Sequence, residues 1–167
     1  MKKIIVILFF VTVMMVMTNE KEKFLIPDNA IRFRVIANSD TLEDQKLKMT
    51  IKNDVEKELY ELINSANNID EARKIITNNL DKVDKILNKY AVEYDINYGN
   101  NYFPIKEFKG ITYKAGNYES LVITIGEGLG ENWWCILFPP LCLLDNQNNL
   151  DNIEYDLYAS KLINKFK

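Results

Sequence analysis

Histidine is absent from the 167 residues of this chain. That gap removes Ser-His-Asp and Cys-His catalysis, imidazole zinc sites and histidine-based pH switching together. Cysteine is nearly as scarce. Cys135 and Cys142 supply too few ligands for a tetrahedral zinc site, so no metal is expected. Six glycines and four prolines exclude collagen-like and low-complexity architectures. An excess of basic charge is also missing: the formal net charge is −3, which argues against a nucleic-acid binder. What remains is 47% hydrophobic and 27% charged, enough apolar residue to rule out a wholly disordered chain and to build one ordinary domain.

The first residues bear on compartment. Lys2 and Lys3 precede residues 4–17, an uncharged run in which Thr12 is the one polar residue, and charge returns with Glu20-Lys21-Glu22-Lys23. A basic start followed by such a run is the layout of a secretory signal. As a helix it would be about 21 Å long, short of a hydrocarbon core of roughly 30 Å. Its apolar character runs all round rather than along a stripe, which argues against a buried helix of the domain. No small-x-small cleavage site follows Met17, so a cleaved signal and a retained anchor (residues 4–18) both remain open. The expected division is therefore a signal peptide or membrane anchor over 1–23 and one extracytoplasmic domain over 24–167. The second part has a net charge of −5 and no polybasic patch, so membrane contact is expected only through the N-terminal segment. In that compartment Cys135 and Cys142 are either a disulfide closing the Phe138-Pro139-Pro140-Leu141 turn or two buried thiols.

Alternation of apolar and charged residues predicts a strand over 31–36. Asp40 with Glu43 fits a capping box. A stripe of Leu47, Ile51, Val55, Leu59, Leu62 and Ile63 predicts a helix over 41–65, with charges covering its other face. Asn67-Asn68 breaks it. A second stripe from Ile69 to Tyr90 predicts a helix over 69–91, antiparallel to the first. The period then falls to two. Strands are expected over 92–98, ended by a Gly99-Asn100 hairpin turn, over 102–108 with Pro104 weakening it, over 111–113, over 119–125 and over 133–138. A polar loop (145–152) and a closing helix (153–166) complete the chain. The expected fold is α+β: two long antiparallel helices and a C-terminal helix packed on a mostly antiparallel sheet, preceded by the N-terminal hydrophobic segment.

Gly126-Glu127-Gly128-Leu129-Gly130 follows a strand, but a β-like run comes next rather than a helix N-terminus, and no P-loop lysine is present. A Gly-rich hairpin turn or mobile loop is the better expectation, a flexible contact surface the lesser one, and no cofactor or small-molecule substrate is implied. Carboxylate pairs such as Asp40/Asp44 or Glu127/Glu131 suit capping or solvated roles; the alternative is a cell-wall hydrolase working through carboxylates. Adjacent Trp133 and Trp134 must face opposite sides of a strand, so one is expected in the core and the other on a second face or exposed beside Pro139-Pro140.

Two longer stretches carry a family resemblance. Ile31-Arg32-Phe33-Arg34-Val35-Ile36-Ala37-Asn38-Ser39-Asp40, with Asp44, Gln45 and Lys48, resembles the opening motif of the stage II sporulation protein R family. Gly126-Glu127-Gly128-x-Gly130-x-Asn132-Trp133-Trp134-Cys135-Ile136-Leu137-Phe138-Pro139-Pro140-Leu141-Cys142 resembles its second signature. The stretches Tyr102-Phe103-Pro104-x-Lys106 and Ala115-Gly116-x-Tyr118-Glu119-x-Leu121 look similar as well. Arg34 stands where that family usually has His, and Lys114 where Pro is common. The resemblance implies a secreted signal of endospore formation rather than an enzyme. Such a protein is exported from the forespore into the space between two membranes. There it would activate a membrane-embedded aspartic-type protease of the mother cell that processes an early sigma-factor precursor. The expected contact residues are Gly126, Glu127, Gly128, Gly130, Asn132, Trp133, Trp134, Pro139 and Pro140. A second patch comprises Arg32, Asn38, Ser39, Asp40, Asp44, Gln45 and Lys48.

Overall fold

The computed structural model describes residues 30–108 and 111–142. The N-terminal apolar segment, the Lys109-Gly110 turn, the 145–152 loop and the expected closing helix lie outside them. Within them, strand β1 (Ile31–Ile36) leads into helices α1 (Leu42–Ile63), α2 (Ile69–Asn78) and α3 (Leu80–Leu87) and a 3-10 turn (Asn88–Tyr90). Strands β2 (Tyr94–Phe103), β3 (Lys106–Phe108), β4 (Ile111–Tyr113), β5 (Gly116–Ile125) and β6 (Asn132–Phe138) follow. Four strands form one sheet in the order β2-β5-β1-β6, and β3 and β4 form a separate hairpin. β1 runs parallel to β5 and antiparallel to β6, while β2 and β5 are antiparallel over their whole length.

Side-chain alternation sends Ile31, Phe33 and Val35 of β1 to one face, with Leu121, Ile123 and Ile125 of β5 and Cys135 and Leu137 of β6. Against that face lie Ile51, Val55, Leu59 and Ile63 of α1, Ala72 and Ile76 of α2, and Val83, Ile86 and Leu87 of α3, in one continuous core. This is the α+β architecture that the two periodicities predict, with the helices on one side of the sheet.

Several local expectations are corrected. The second helical stripe is not one helix. The backbone leaves helical geometry at Asn79 (φ −124°, ψ 17°), and the Asn79 side-chain amide donates to the Ile75 carbonyl that the break sets free. Both halves pack on the same core, so the apolar period continues across a break it cannot reveal. Thr41, not Asp40, caps α1: its hydroxyl accepts from the Asp44 N–H. Gly99 and Asn100 do not turn the chain. β5 offers a partner at every position from Tyr94↔Ile125 to Phe103↔Gly116, and that ladder overrides the local turn preference. The strand expected over 102–108 is interrupted at Pro104 and Ile105: its first two residues finish β2, and β3 begins at Lys106. Charge does not simply cover the outer side of α1 either, because Lys48, Lys52 and Glu56, one turn apart, are buried. Lys52 pairs with Glu56 (2.5 Å) and lies 4.2 Å from the Trp133 ring centroid.

The two cysteines are joined. A Cys135–Cys142 disulfide ties the middle of β6 to the chain beyond Pro139-Pro140, both cysteines being buried. The sequence separation of seven residues sets what the cross-link removes from the unfolded chain. Reduction is expected to lower unfolding free energy by roughly 2–2.5 kcal/mol on chain-entropy grounds. Equilibrium denaturation with and without reductant measures it, and the oxidised chain should be two hydrogens lighter by mass spectrometry.

Candidate functional site

The two motif-bearing stretches, about ninety residues apart in sequence, meet at one end of the sheet. β5 and β1 are parallel and end together, and β6 lies on the far side of β1. The segment 126–131 must therefore cross over the chain leaving β1, a distance of roughly 9–10 Å or two strand spacings. It crosses in contact. Leu129 N–H donates to the Asn38 carbonyl (3.1 Å) and Gly130 N–H to the Ala37 carbonyl (3.0 Å). Glu127 N–H donates to Asn38 Oδ1 (3.0 Å), and Glu131 N–H to Asp40 Oδ1 (2.6 Å). Gly126 N–H reaches the Glu93 carbonyl (2.8 Å), and Gly128 N–H the Ile125 carbonyl (3.1 Å). Six consecutive amides are thus satisfied within the protein.

The crossing explains the glycines. Gly126 and Gly128 have positive φ (55° and 65°), where side chains are strained. A Cβ on Gly126 would collide with the Asn38 side chain, one on Gly128 would sit 2.5 Å from Thr124 Cγ2, and one on Gly130 would run into the Ser39 backbone. The expectation of a hairpin turn or mobile loop is corrected accordingly: β1 lies between β5 and β6, the amides are bonded, and these glycines serve close approach and backbone shape. Surface exposure is not what requires them.

The receiving side is a second layer of hydrogen bonds. Asp44 accepts from Ser39 Oγ (2.5 Å) and from Asn38 Nδ2 (3.0 Å), which orients the Asn38 oxygen toward Glu127. Gln45 Nε2 donates to the Ser39 carbonyl (3.0 Å). Lys48 Nζ donates to Gln45 Oε1 (2.5 Å) and to the Glu131 carbonyl (3.0 Å), closing the circuit from α1 back to the loop. Burial lowers the Lys48 pKa from its ordinary value. The Asp44 carboxyl is lowered from its ordinary value by the bonds from Ser39 and Asn38. Glu71, Asp81 and Glu119 are shifted in the same direction, each beside hydrogen-bond donors.

The remaining expected contact residues divide between the two faces of the sheet. Trp133 faces the helices, edge-on to Phe33 at 5.9 Å between centroids. Trp134 faces the other way and is buried, edge-on to Phe103 at 5.2 Å. Arg32 is buried on that same second face, its guanidinium 3.3 Å from the Tyr118 ring centroid and 5.4 Å from that of Trp134. Arg34 donates to the Tyr102 carbonyl (3.3 Å), and burial lowers its pKa. Asn132 begins β6 opposite Ile36. Pro139 is buried and Pro140 half-buried. Of the two alternatives for the second Trp, the structure takes the second face: Trp134 is buried there, and neither ring stands exposed beside Pro139-Pro140. Lys52 and Glu56 belong to the helical face and carry no expectation from the sequence: their charge hides them, although the one-turn spacing of Lys48, Lys52 and Glu56 is a usable signal.

The model of the stage II sporulation protein R family matches residues 27–148. A protein described as Stage II sporulation protein R from Bacillus subtilis (strain 168) is 40% identical over 137 residues, covering 78% of this chain and 61% of that protein. The chain thus spans less than two thirds of the length of this curated relative. No solved structure matches.

Two outcomes test the crossing. Gly130→Ala, which pushes a methyl into the Ser39 backbone, should cost roughly 1–3 kcal/mol, read from denaturant midpoints. Gly128→Val should likewise lower the thermal midpoint rather than leave it unchanged. The second outcome concerns acid. Because the folded Asp44 carboxyl titrates below its unfolded counterpart, its stabilising effect is complete above an unfolded pKa of about 4 and is lost as pH falls through the lower folded value. Asp44→Asn should flatten that acid limb of the stability–pH curve, measured by thermal melts below neutrality.

Proposed function

Because the chain belongs to the stage II sporulation protein R family, we propose that it is a secreted, non-catalytic signal of endospore formation that activates a membrane-embedded aspartic-type protease. The family ties the chain to sporulation. The finer reading takes residues 1–23 as the export segment. It has the domain acting between the forespore and mother-cell membranes, where the protease would process an early sigma-factor precursor.

One observation carries this proposal furthest. The two family-like stretches fold into a single unit, residues 37–48 with 126–131, whose polar side chains are spent on holding one another. Asn38, Ser39, Asp40, Asp44, Gln45 and Lys48 saturate backbone amides and each other rather than converging on a space where a substrate atom could sit. An arrangement of this kind shapes a surface. That suits recognition of a protein partner better than turnover of a small molecule.

The test is co-expression of the full chain with the protease and the sigma-factor precursor in a non-sporulating host. Processing should require all three proteins and should cease when residues 2–23 are deleted without a substitute export sequence. Precursor cleavage that is independent of this chain, or that continues at full level with the deleted form, would contradict the proposal.

A further inference from the structure

The loop that crosses β1 contains one large apolar side chain the crossing does not use. Leu129 donates its N–H to Asn38, yet its side chain is 74% exposed, the highest value among the large apolar residues described. Its neighbours Gly128 and Gly130 are half-buried, and every amide from 126 to 131 is bonded. A leucine on a mobile tip would lose much of its binding energy to ordering, whereas here the backbone is already ordered before any contact forms. Leu42, 71% exposed, leaves the same end of the sheet from the first residue of α1, two residues beyond the Asp40 that holds Glu131. Met49, seven residues further, shares its helix face and is also exposed. On the same two segments, beside these residues in sequence, Glu43, Glu127 and Glu131 are exposed, against Lys46 of opposite sign.

We propose that Leu129, with Leu42 at the same corner, is the anchor by which this protein docks into an apolar pocket with a Lys/Arg rim on the extracytoplasmic side of the protease. This rests on the function proposed above and adds the surface and the chemistry of its partner. An apolar anchor inside an acidic rim favours a protein pocket over a bilayer, because anionic lipid headgroups repel the same glutamates. Asn38, Asp40 and Lys48 are positioning residues: they set where Leu129 stands and do not themselves meet the partner.

The co-expression system distinguishes the two levels. With the wild-type chain giving processing, Leu129→Asp should reduce it by roughly tenfold or more, as loss of a central anchor does, and Leu129→Met should keep it. The thermal midpoint of purified Leu129→Asp and Leu129→Ala should stay within about 2 °C of wild type, since neither removes a buried group. The double change Glu127→Lys, Glu131→Lys should lower co-purification of the protease and weaken its dependence on salt. Wild-type processing by Leu129→Asp would overturn this docking surface and leave the signalling function standing. The docking surface would also be overturned if processing fell only together with folding stability. The same holds if Leu129→Asp lost binding to phosphatidylglycerol-rich vesicles while still co-purifying the protease. No processing by the wild-type chain would overturn both.

Discussion

Much of this molecule follows from where β1 sits. It lies between the two strands that are consecutive at the other end of the chain, parallel to β5 and antiparallel to β6. The β5–β6 connection therefore has to pass over the backbone leaving β1, at a point where that backbone is turning into α1. Two polypeptide segments brought within hydrogen-bond distance cannot leave their amides unsatisfied, nor accommodate a Cβ at each position. Three glycines, the Asn38 and Asp40 acceptors and the Lys48 ammonium answer those two requirements. The crossing also links sheet, first helix and loop through shared hydrogen bonds.

The two faces of the sheet solve the same problem of covering area with different chemistry. One face packs aliphatic helices on aliphatic strands. The other buries Arg32 among Tyr118, Phe103 and Trp134, where a guanidinium stacked on ring faces keeps electrostatic stabilisation with little water. Adjacent tryptophans in one strand are what such a double-faced layer requires, since alternate residues serve alternate sides. Trp133 meets Phe33 and the Lys52 ammonium on the helical side, and Trp134 meets the cationic aromatic cluster on the other. The ion pair of Lys52 and Glu56 is buried beside Trp133, so α1 is packed over a wider arc than its aliphatic stripe alone.

Local pattern carried the sequence a long way. Period-two alternation placed β1, an apolar run stopped by Pro139-Pro140 placed β6 to within one residue, the 3.6-residue stripes identified the inward sides of α1 to α3, and the shift between periods marked where helices give way to strands. The pairing of cysteines was one of two open choices, and the structure joins them. The motif residues were also legible as a set, though their role was not: glycines taken as a surface feature are required by a backbone crossing. Asn79 and Gly99-Asn100 misled for the opposite reason. At the first, a break between helices sharing one core leaves the apolar period intact. At the second, a ten-residue ladder with β5 overrules a local turn preference.

What the sequence by itself determined is therefore most of what depends on neighbours a few residues apart: most element types, the buried faces, the absence of imidazole chemistry and the resemblance of two stretches to one family. Only the tertiary structure decided that β1 is the central partner of both β5 and β6, that the two stretches are one network, and that Leu129 stands clear of it. Periodicity reports which side of an element is apolar. It is silent about which element lies opposite, because strand order and the contacts between residues 38–40 and 127–131 are settled by packing across some ninety residues of intervening chain.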